Sequence, residues 1–341
     1  MVLKTGKLPW NILWEFIKIL PIEDIDLVMG PSFGEDSAVL RVKDGFLVVH
    51  TDPITAASRR AGWLAIHISA NDVAVRGVKP KWFLITALLP PSYEYDDIRE
   101  VFIDASRALK EVDGIVVGGH TEITPDLNRP ILVVTSMGYT NSRVIYTRDA
   151  KPGDKVVIIG RVGGEGAGVL AWDFEKVLLD RGVDKNIVDK AKRFIEDVSV
   201  VNKALLIKDY VNTMHDPTEG GLIQGLREVA VASGVNIIVD LEKVFIDEVV
   251  DNVVKCFNLD PLRILSSGLL VTTVPRNKFE DLISIVEKEN WSYSVIGEVV
   301  NGDGELILRR KGNIVEVINE DVIDEIYKLY SRNKDTPVYR V

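Results

Sequence analysis

The chain has 341 residues, 46% of them hydrophobic and 27% charged, a globular composition that excludes disordered and fibrous classes. One core rarely serves more than about 250–300 residues, so two domains are expected. A formal charge of −10 excludes a general nucleic-acid binder, because phosphate neutralisation dominates affinity there. The apolar run 82–89 stops at Pro90-Pro91, well short of membrane-spanning length. The N-terminal apolar run is interrupted by Glu15 and Lys18, unlike a signal peptide. The lone Cys256 allows no intramolecular disulfide framework, and His50, His67, His120 and His215 share no close metal-ligand spacing. A soluble, cytoplasmic protein without membrane or nucleic-acid partners is the expectation.

In chain order, apolar periodicity predicts a helix over 10–20, strands over 37–42 and 46–50, a helix over 60–76 and a strand over 82–89. A helix over 96–112 and strands over 115–117 and 131–137 follow. Strand pairs separated by long helices indicate an α/β or α+β layer. The polar, turn-rich stretch 147–154 precedes a new strand over 155–159. The domain boundary is therefore placed at residue 150, giving domains 1–150 and 151–341. The second half is read as helices over 165–179, 185–197 and 217–233, strands over 236–239 and 268–274, a helix over 278–289, a strand over 293–299 and a hairpin over 305–318.

Two motifs are weak. Gly30-Pro31-Ser32-Phe33-Gly34 matches G-x-S-x-G, but a strand follows where a nucleophile elbow needs a helix. Gly163-Gly164-Glu165-Gly166-Ala167-Gly168 follows a strand and opens a helix, with Val169 where a dinucleotide fingerprint needs glycine. It is either a tight turn or an anion site at a helix N-terminus. No P-loop occurs.

The carboxylates are more informative. Asp52 follows a hydrophobic strand, Glu35-Asp36 precede another, and Gly118-Gly119-His120-Thr121-Glu122 end a third. Leu64, Ile68, Asp72 and Val75 share a helical stripe, with Asn71 beside it. A buried acid must be paired, coordinated or protonated. For Asp72 the bland alternative is a salt bridge to Arg76, and for Asp52 a turn before proline. As a set, hard oxygen ligands at strand and helix ends suit Mg²⁺ beside phosphates. Asp216, Pro217 and Glu219 read as N-cap, N1 and N3 of a helix. Gly220-Gly221 then call for close approach by another backbone or a phosphate.

These segments resemble the AIR synthase (PurM) superfamily. Gly34-Glu35-Asp36-Ser37-Ala38-Val39 is similar to its G-D-D-A-A-V segment, and Asn71-Asp72-Val73-Ala74 through Pro80 to its N-D-[LIV]-A helix. Gly118-Gly119-His120-Thr121 resembles its G-G-[DEH]-T strand end, and the stretch from Tyr146 to Asp154 its inter-domain connection. His215-Asp216-Pro217-Thr218-Glu219-Gly220-Gly221-Leu222 resembles D-P-T-R-G-G-L of the hydrogenase-maturation dehydratases (HypE). The resemblance implies a two-domain α/β (α+β) fold whose N-terminal domain forms a dimer barrel with a second copy. It implies ATP and Mg²⁺ as cofactors and phosphoryl transfer to an amide-type oxygen. Carried over by position, Asp36, Asp52, Asp72 and Glu122 would be metal ligands, and Asp72 and Asp216 catalytic. Asn71, Gly118, Gly119, Thr121, Arg148, Gly220 and Gly221 would bind the nucleotide.

The departures are specific. Position 35 is Glu where the pattern has Asp, and His120-Thr121-Glu122 leaves open which acid of that segment binds metal. HypE-type tails end in a carrier cysteine, whereas this sequence ends Thr336-Pro337-Val338-Tyr339-Arg340-Val341. Three functions remain: an AIR-synthase/HypE-type ATP-dependent enzyme, a small-molecule kinase of thiamine-phosphate type, and a non-catalytic nucleotide-binding partner in hydrogenase maturation. The acceptor stays unnamed, and a maturation partner protein is an expectation of the HypE likeness.

Overall fold

A computed structural model describes residues 9–55 and 59–332; the tail 336–341 lies outside the described residues. The N-terminal half runs α1 (Trp10–Ile17), β1 (Leu27–Met29), β2 (Ala38–Val42), β3 (Gly45–Ile54), α2 (Ala61–Ala74), β4 (Trp82–Leu89), α3 (Tyr95–Glu111), β5 (Ile115–Ile123) and β6 (Ile131–Thr140). Its sheet has the order β1-β2-β3-β6-β4-β5, antiparallel except for the β4–β5 pair. Phe83, Ile85, Ala87 and Leu89 alternate inward on β4 and are buried. The opposite face keeps Leu84 38% exposed. That face carries Trp82, Leu84, Thr86 and Leu88, mostly apolar as the sequence predicts.

Strand β3 runs beyond the expected end at His50 and through Pro53. Only β6 pairs with it there, because β2 stops at the partner of Val49. Proline, which lacks a donor, is tolerated where one side of a strand is free.

The C-terminal half contains β7 (Lys155–Ile159), α4 (Gly164–Asp173), α5 (Glu175–Asp180), α6 (Lys185–Arg193), α7 (Val201–Ile207), β8 (Thr213–His215), α8 (Gly221–Ser233) and β9 (Val235–Asp240). It continues with α9 (Glu248–Cys256), β10 (Leu270–Val274), α10 (Phe279–Lys288), β11 (Tyr293–Asn301), β12 (Leu306–Arg310), β13 (Asn313–Ile318) and α11 (Ile326–Arg332). The second sheet has the order β13-β12-β9-β11-β7-β10-β8. Alternation on β7 sends Val156 and Ile158 into a core with α8, and Val157 and Ile159 into one shared with the first half. The helix expected over 165–179 is two helices. The chain leaves helical geometry at Phe174, whose buried ring packs edge-on against Phe257 at 5.4 Å. Helices α7, α9 and α11 and the short strand β8 were not expected from the sequence.

Helix α2 is buried almost all round, because the sheet covers one side and the second half covers another. Trp63 and Asn71, two turns apart on α2, both reach the segment 195–200. Trp63 Nε1 donates to the Ile195 carbonyl (3.2 Å), Asn71 Nδ2 donates to the Val198 carbonyl (2.8 Å), and Asn71 Oδ1 accepts from the Val200 amide (2.8 Å). Asn71 therefore clamps the two halves together.

His67, one turn from each of Trp63 and Asn71 on α2, is 0% exposed and edge-on to Trp63, with Nε2 3.4 Å from a Glu111 carboxylate oxygen. Burial pushes its pKa down to about 4. A depressed histidine pKa favours the folded state above the unfolded value, and the gain is lost as pH falls toward the folded one. Between pH 7 and pH 5 the loss should be about 2 kcal/mol. Urea unfolding at the two pH values should show wild type losing that much more stability than His67→Leu. Equal losses would contradict a buried neutral histidine.

Candidate functional site

The loop before β2, the middle of β3, the end of α2 and the loop after β8 converge where the two halves meet. Arg76, just past α2 and fully buried, is the hub. Its Nη1 lies 2.8 Å from Glu35 and its Nη2 2.7 Å from Asp36, and Nη2 also donates to Thr147 Oγ1 (3.0 Å). The alternative pairing of Asp72 with Arg76 is thus corrected: the arginine turns to carboxylates far away in sequence. Asp72 instead meets His50, with Oδ2 3.2 Å from Nε2.

Glu35 also accepts from the backbone amides of Thr147 (3.1 Å) and Arg148 (3.3 Å) in the inter-domain connection. It fastens that connection to Arg76. Arg148 presents its amide to Glu35 and lays its guanidinium over the Tyr146 ring at 4.8 Å.

Two groups of potential ligands result. In one, atoms of Asp36, His215 and Asp216 lie within 4.8 Å of one another; in the other, atoms of His50, Asp52 and Asp72 do. His215 bridges Asp36 (Nδ1, 2.8 Å) and Glu228 (Nε2, 2.6 Å). Burial opposes its charge, yet these carboxylates raise its pKa well above the ordinary value. With both nitrogens engaged, His215 acts as a buried cation rather than a free ligand. Asp36 is lowered despite burial, by the charges of His215 and Arg76.

Asp216 is the exception. It is buried, and neither carboxylate oxygen has a hydrogen-bond partner on another described residue. Burial, and then the charge of Asp36, raise its pKa well above the usual carboxylate range. A buried carboxylate without a donor is costly, and hard oxygen donors in this arrangement fit a divalent cation such as Mg²⁺.

Asp216 is not a helix cap. Helix α8 begins at Gly221 with Gly220 as N-cap, and both glycines have left-handed φ, +78° and +60°. A Cβ on Gly221 would lie 2.5 Å from the Ile264 carbonyl oxygen, and one on Gly220 2.7 Å from that of Val322. Of the two explanations for these glycines, the structure supplies another backbone. The Gly220 amide donates to Asp324 (2.8 Å), and Tyr327 donates to Glu219 (2.9 Å), so the segment leading into α11 straps this loop. Burial pushes Asp324 up to about 7.

Gly118, Gly119, Thr121 and Glu122 are not brought to these groups within the chain. They lie inside the exposed edge strand β5, whose ordered part continues to Ile123 rather than ending at Val117. Three strand spacings, roughly 14 Å, separate β5 from β3. A Cβ on Gly119 would lie 2.0 Å from the Ile85 carbonyl oxygen, so β4 accounts for this glycine. Glu122 pairs with His120 (3.0 Å). In the Gly163–Gly168 turn, the Gly163 amide donates to Ser266 Oγ (2.9 Å) and the Gly166 amide to the Leu265 carbonyl (2.9 Å), which favours the tight-turn reading.

The sequence reading did not single out His50, Arg76, His215 or Glu228 as functional. His50 and Asp52, two apart on a strand, share a face, which is the signal that could have found the first.

The family model for the N-terminal domain of AIR synthase related proteins matches residues 34–140, and that for the C-terminal domain matches residues 151–309. The chain belongs to the AIR synthase related proteins. It is 25% identical over 324 residues to a putative hydrogenase expression/formation protein of Methanocaldococcus jannaschii, covering 92% of both chains. It is 26% identical over 300 residues to the thiamine-monophosphate kinase of Pyrococcus horikoshii, covering 84% of this chain and 88% of that one. Among solved structures, AaThiL complexed with AMPPCP and TMP superposes with a TM-score of 0.71 at 22% identity, over 92% of this chain and 97% of that one. A HypE–HypF complex gives a TM-score of 0.70 at 21% identity, over 91% and 99%. These likenesses establish the two-domain α/β fold. No helix among the described residues is long and apolar enough to cross a membrane.

Proposed function

We propose that this protein is an ATP-dependent enzyme that transfers a phosphoryl group from Mg-ATP to an amide-type or related oxygen of a small molecule. The observation that carries this reading is Asp216, whose two buried oxygens have no hydrogen-bond partner on another described residue and lie beside Asp36. Relatives named as thiamine-monophosphate kinase and hydrogenase expression protein, and a neighbour bound to AMPPCP, support it.

Asp36, Asp216, Asp52 and Asp72 would hold Mg²⁺, which when bound offsets the charge of the phosphate oxygens. The remaining work falls to this chain's residues. Arg76 and His215 compensate Asp36 and fix its orientation from both halves. His50 holds Asp72. Asn71 keeps the halves closed over the site. Such positioning and charge compensation supply most of the catalysis of phosphoryl transfer.

A kinase of thiamine-phosphate type is the second reading, favoured by the 26% identity to the Pyrococcus enzyme. Incubation with Mg-ATP and a metabolite extract, followed by mass spectrometry, separates the two. A stable phosphorylated metabolite indicates the kinase, and free phosphate with a condensed or dehydrated product indicates the AIR-synthase/HypE type. ATP left unconsumed in every extract would remove both and leave a nucleotide-binding maturation partner.

We also propose a homodimer formed through the N-terminal halves. Strand β5 is an open edge with Ile115, Val116, Val117 and Ile123 each about half exposed, and long exposed apolar edges require cover. Sedimentation at micromolar concentration should give a dimer, and a charged substitution such as Val117→Lys should dissociate it. A wild-type monomer would contradict this.

A further inference from the structure

A cavity of about 680 Å³ opens between the end of α3, the Gly160–Glu165 turn, α7 and the Ser267-Gly268 turn. None of its lining residues figures in the acid groups described above. Glu165 is among its lining residues, and its carboxyl is raised by burial and also by the charges of Glu219 and Asp52.

Five carboxylates line it, and each is already accommodated. Asp197 and Asp247 both pair with Arg161 at 3.0 Å, and Glu196 pairs with Arg60 at 2.6 Å. Glu165 accepts from the Ser267 amide at 3.1 Å, and Glu111 lies against His67. Lys203 is different. Its Nζ donates to the Gly268 carbonyl (2.8 Å), yet no carboxylate of a described residue lies within ion-pair distance. An ammonium has three donors, and only one bond, to a carbonyl, is made; Asp197 favours its charge from a distance while Arg161 opposes it. Burial accordingly depresses its pKa to about 8. Trp291 and Phe245 supply aromatic surface on the same walls.

We infer that this cavity is the acceptor site, and that Lys203 receives an oxyanion of the acceptor, a carboxylate or a phosphate monoester, while its organic body lies against Trp291 and Phe245. The inference rests on the phosphoryl-transfer reading for the word acceptor, but the oxyanion site stands on the cavity alone. The acceptor is therefore an anionic small molecule, held at one end by Lys203 with its reacting oxygen toward Glu165 and the acid centre.

Calorimetric titration of the full chain with inorganic phosphate and with malonate, in EDTA so that the acid groups repel both, tests the site. At least one anion should bind wild type. Binding should weaken about tenfold or more in Lys203→Met, as loss of a charge-assisted hydrogen bond implies, and be largely kept in Lys203→Arg. Whichever anion binds more tightly identifies the handle. Absence of binding to wild type, equal binding to Lys203→Met, or equal loss in both variants would overturn the proposal. A parallel titration of Lys203→Met with Mg·AMPPNP should match wild type. Failure of wild type itself to bind Mg·AMPPNP would count against the nucleotide reading and leave the anion result to be judged separately.

Discussion

Asp216→Asn should reduce Mg-dependent ATP turnover by on the order of 10²–10³-fold or more, the scale for losing one element of electrostatic stabilisation. The same change should leave the metal-free protein equally stable, or more stable by about 1 kcal/mol. The two effects have one origin. In the absence of a cation, Asp216 is a buried carboxyl without a donor, facing Asp36. Asparagine removes a group that burial and Asp36 make costly to ionise and offers an N–H toward Asp36, so the folded state gains while the ligand is lost. A residue kept for structure gives the opposite pattern, with lower stability and intact turnover. Measuring kcat together with urea unfolding in EDTA distinguishes the two.

Arg76→Met should destabilise the protein by about 3–5 kcal/mol, the usual cost of removing one partner from a buried ion pair. Glu35 would lose its cation and Asp36 one of its two, and the contacts to Thr147 and the Ile145 carbonyl would go with it. Adding Glu35→Gln to Arg76→Met should recover part of the loss, because it removes one uncompensated charge. A loss under about 1 kcal/mol would show that the hub is relaxed in solution. Turnover should fall as well, since Asp36 would keep only His215 to orient it.

Local pattern was enough for some features and not for others. The strand Trp82–Leu89 is found at its predicted bounds, since seven apolar residues around one threonine, ended by two prolines, admit little else. Motif order placed Asp36, Asp52, Asp72 and Asp216 in one neighbourhood before any contact was known. The partners of Arg76 were not legible, because Glu35 and Asp36 lie about forty residues away while Asp72 is one turn away. Asp216-Pro217 fits the local rule for a helix start. The rule fails because the chain takes left-handed geometry at Gly220 and Gly221, where the 262–264 backbone comes too close to Gly221 for any Cβ, and the helix starts only there. Glu35 looked like an imperfect metal ligand. Its extra methylene, relative to the pattern aspartate, lets it span Arg76 and the connection amides. The placement of Gly118–Glu122 on an open edge reflects sheet order, which single-strand patterns do not encode.

The most direct test of the central claim is calorimetric titration of the wild-type chain with AMPPNP, with and without Mg²⁺, repeated with Asp216→Asn. Saturable binding at one site per chain, requiring Mg²⁺ and lost in the variant, is the expected result. Nucleotide binding that is unchanged in EDTA and in Asp216→Asn, or no binding under any condition, would contradict it.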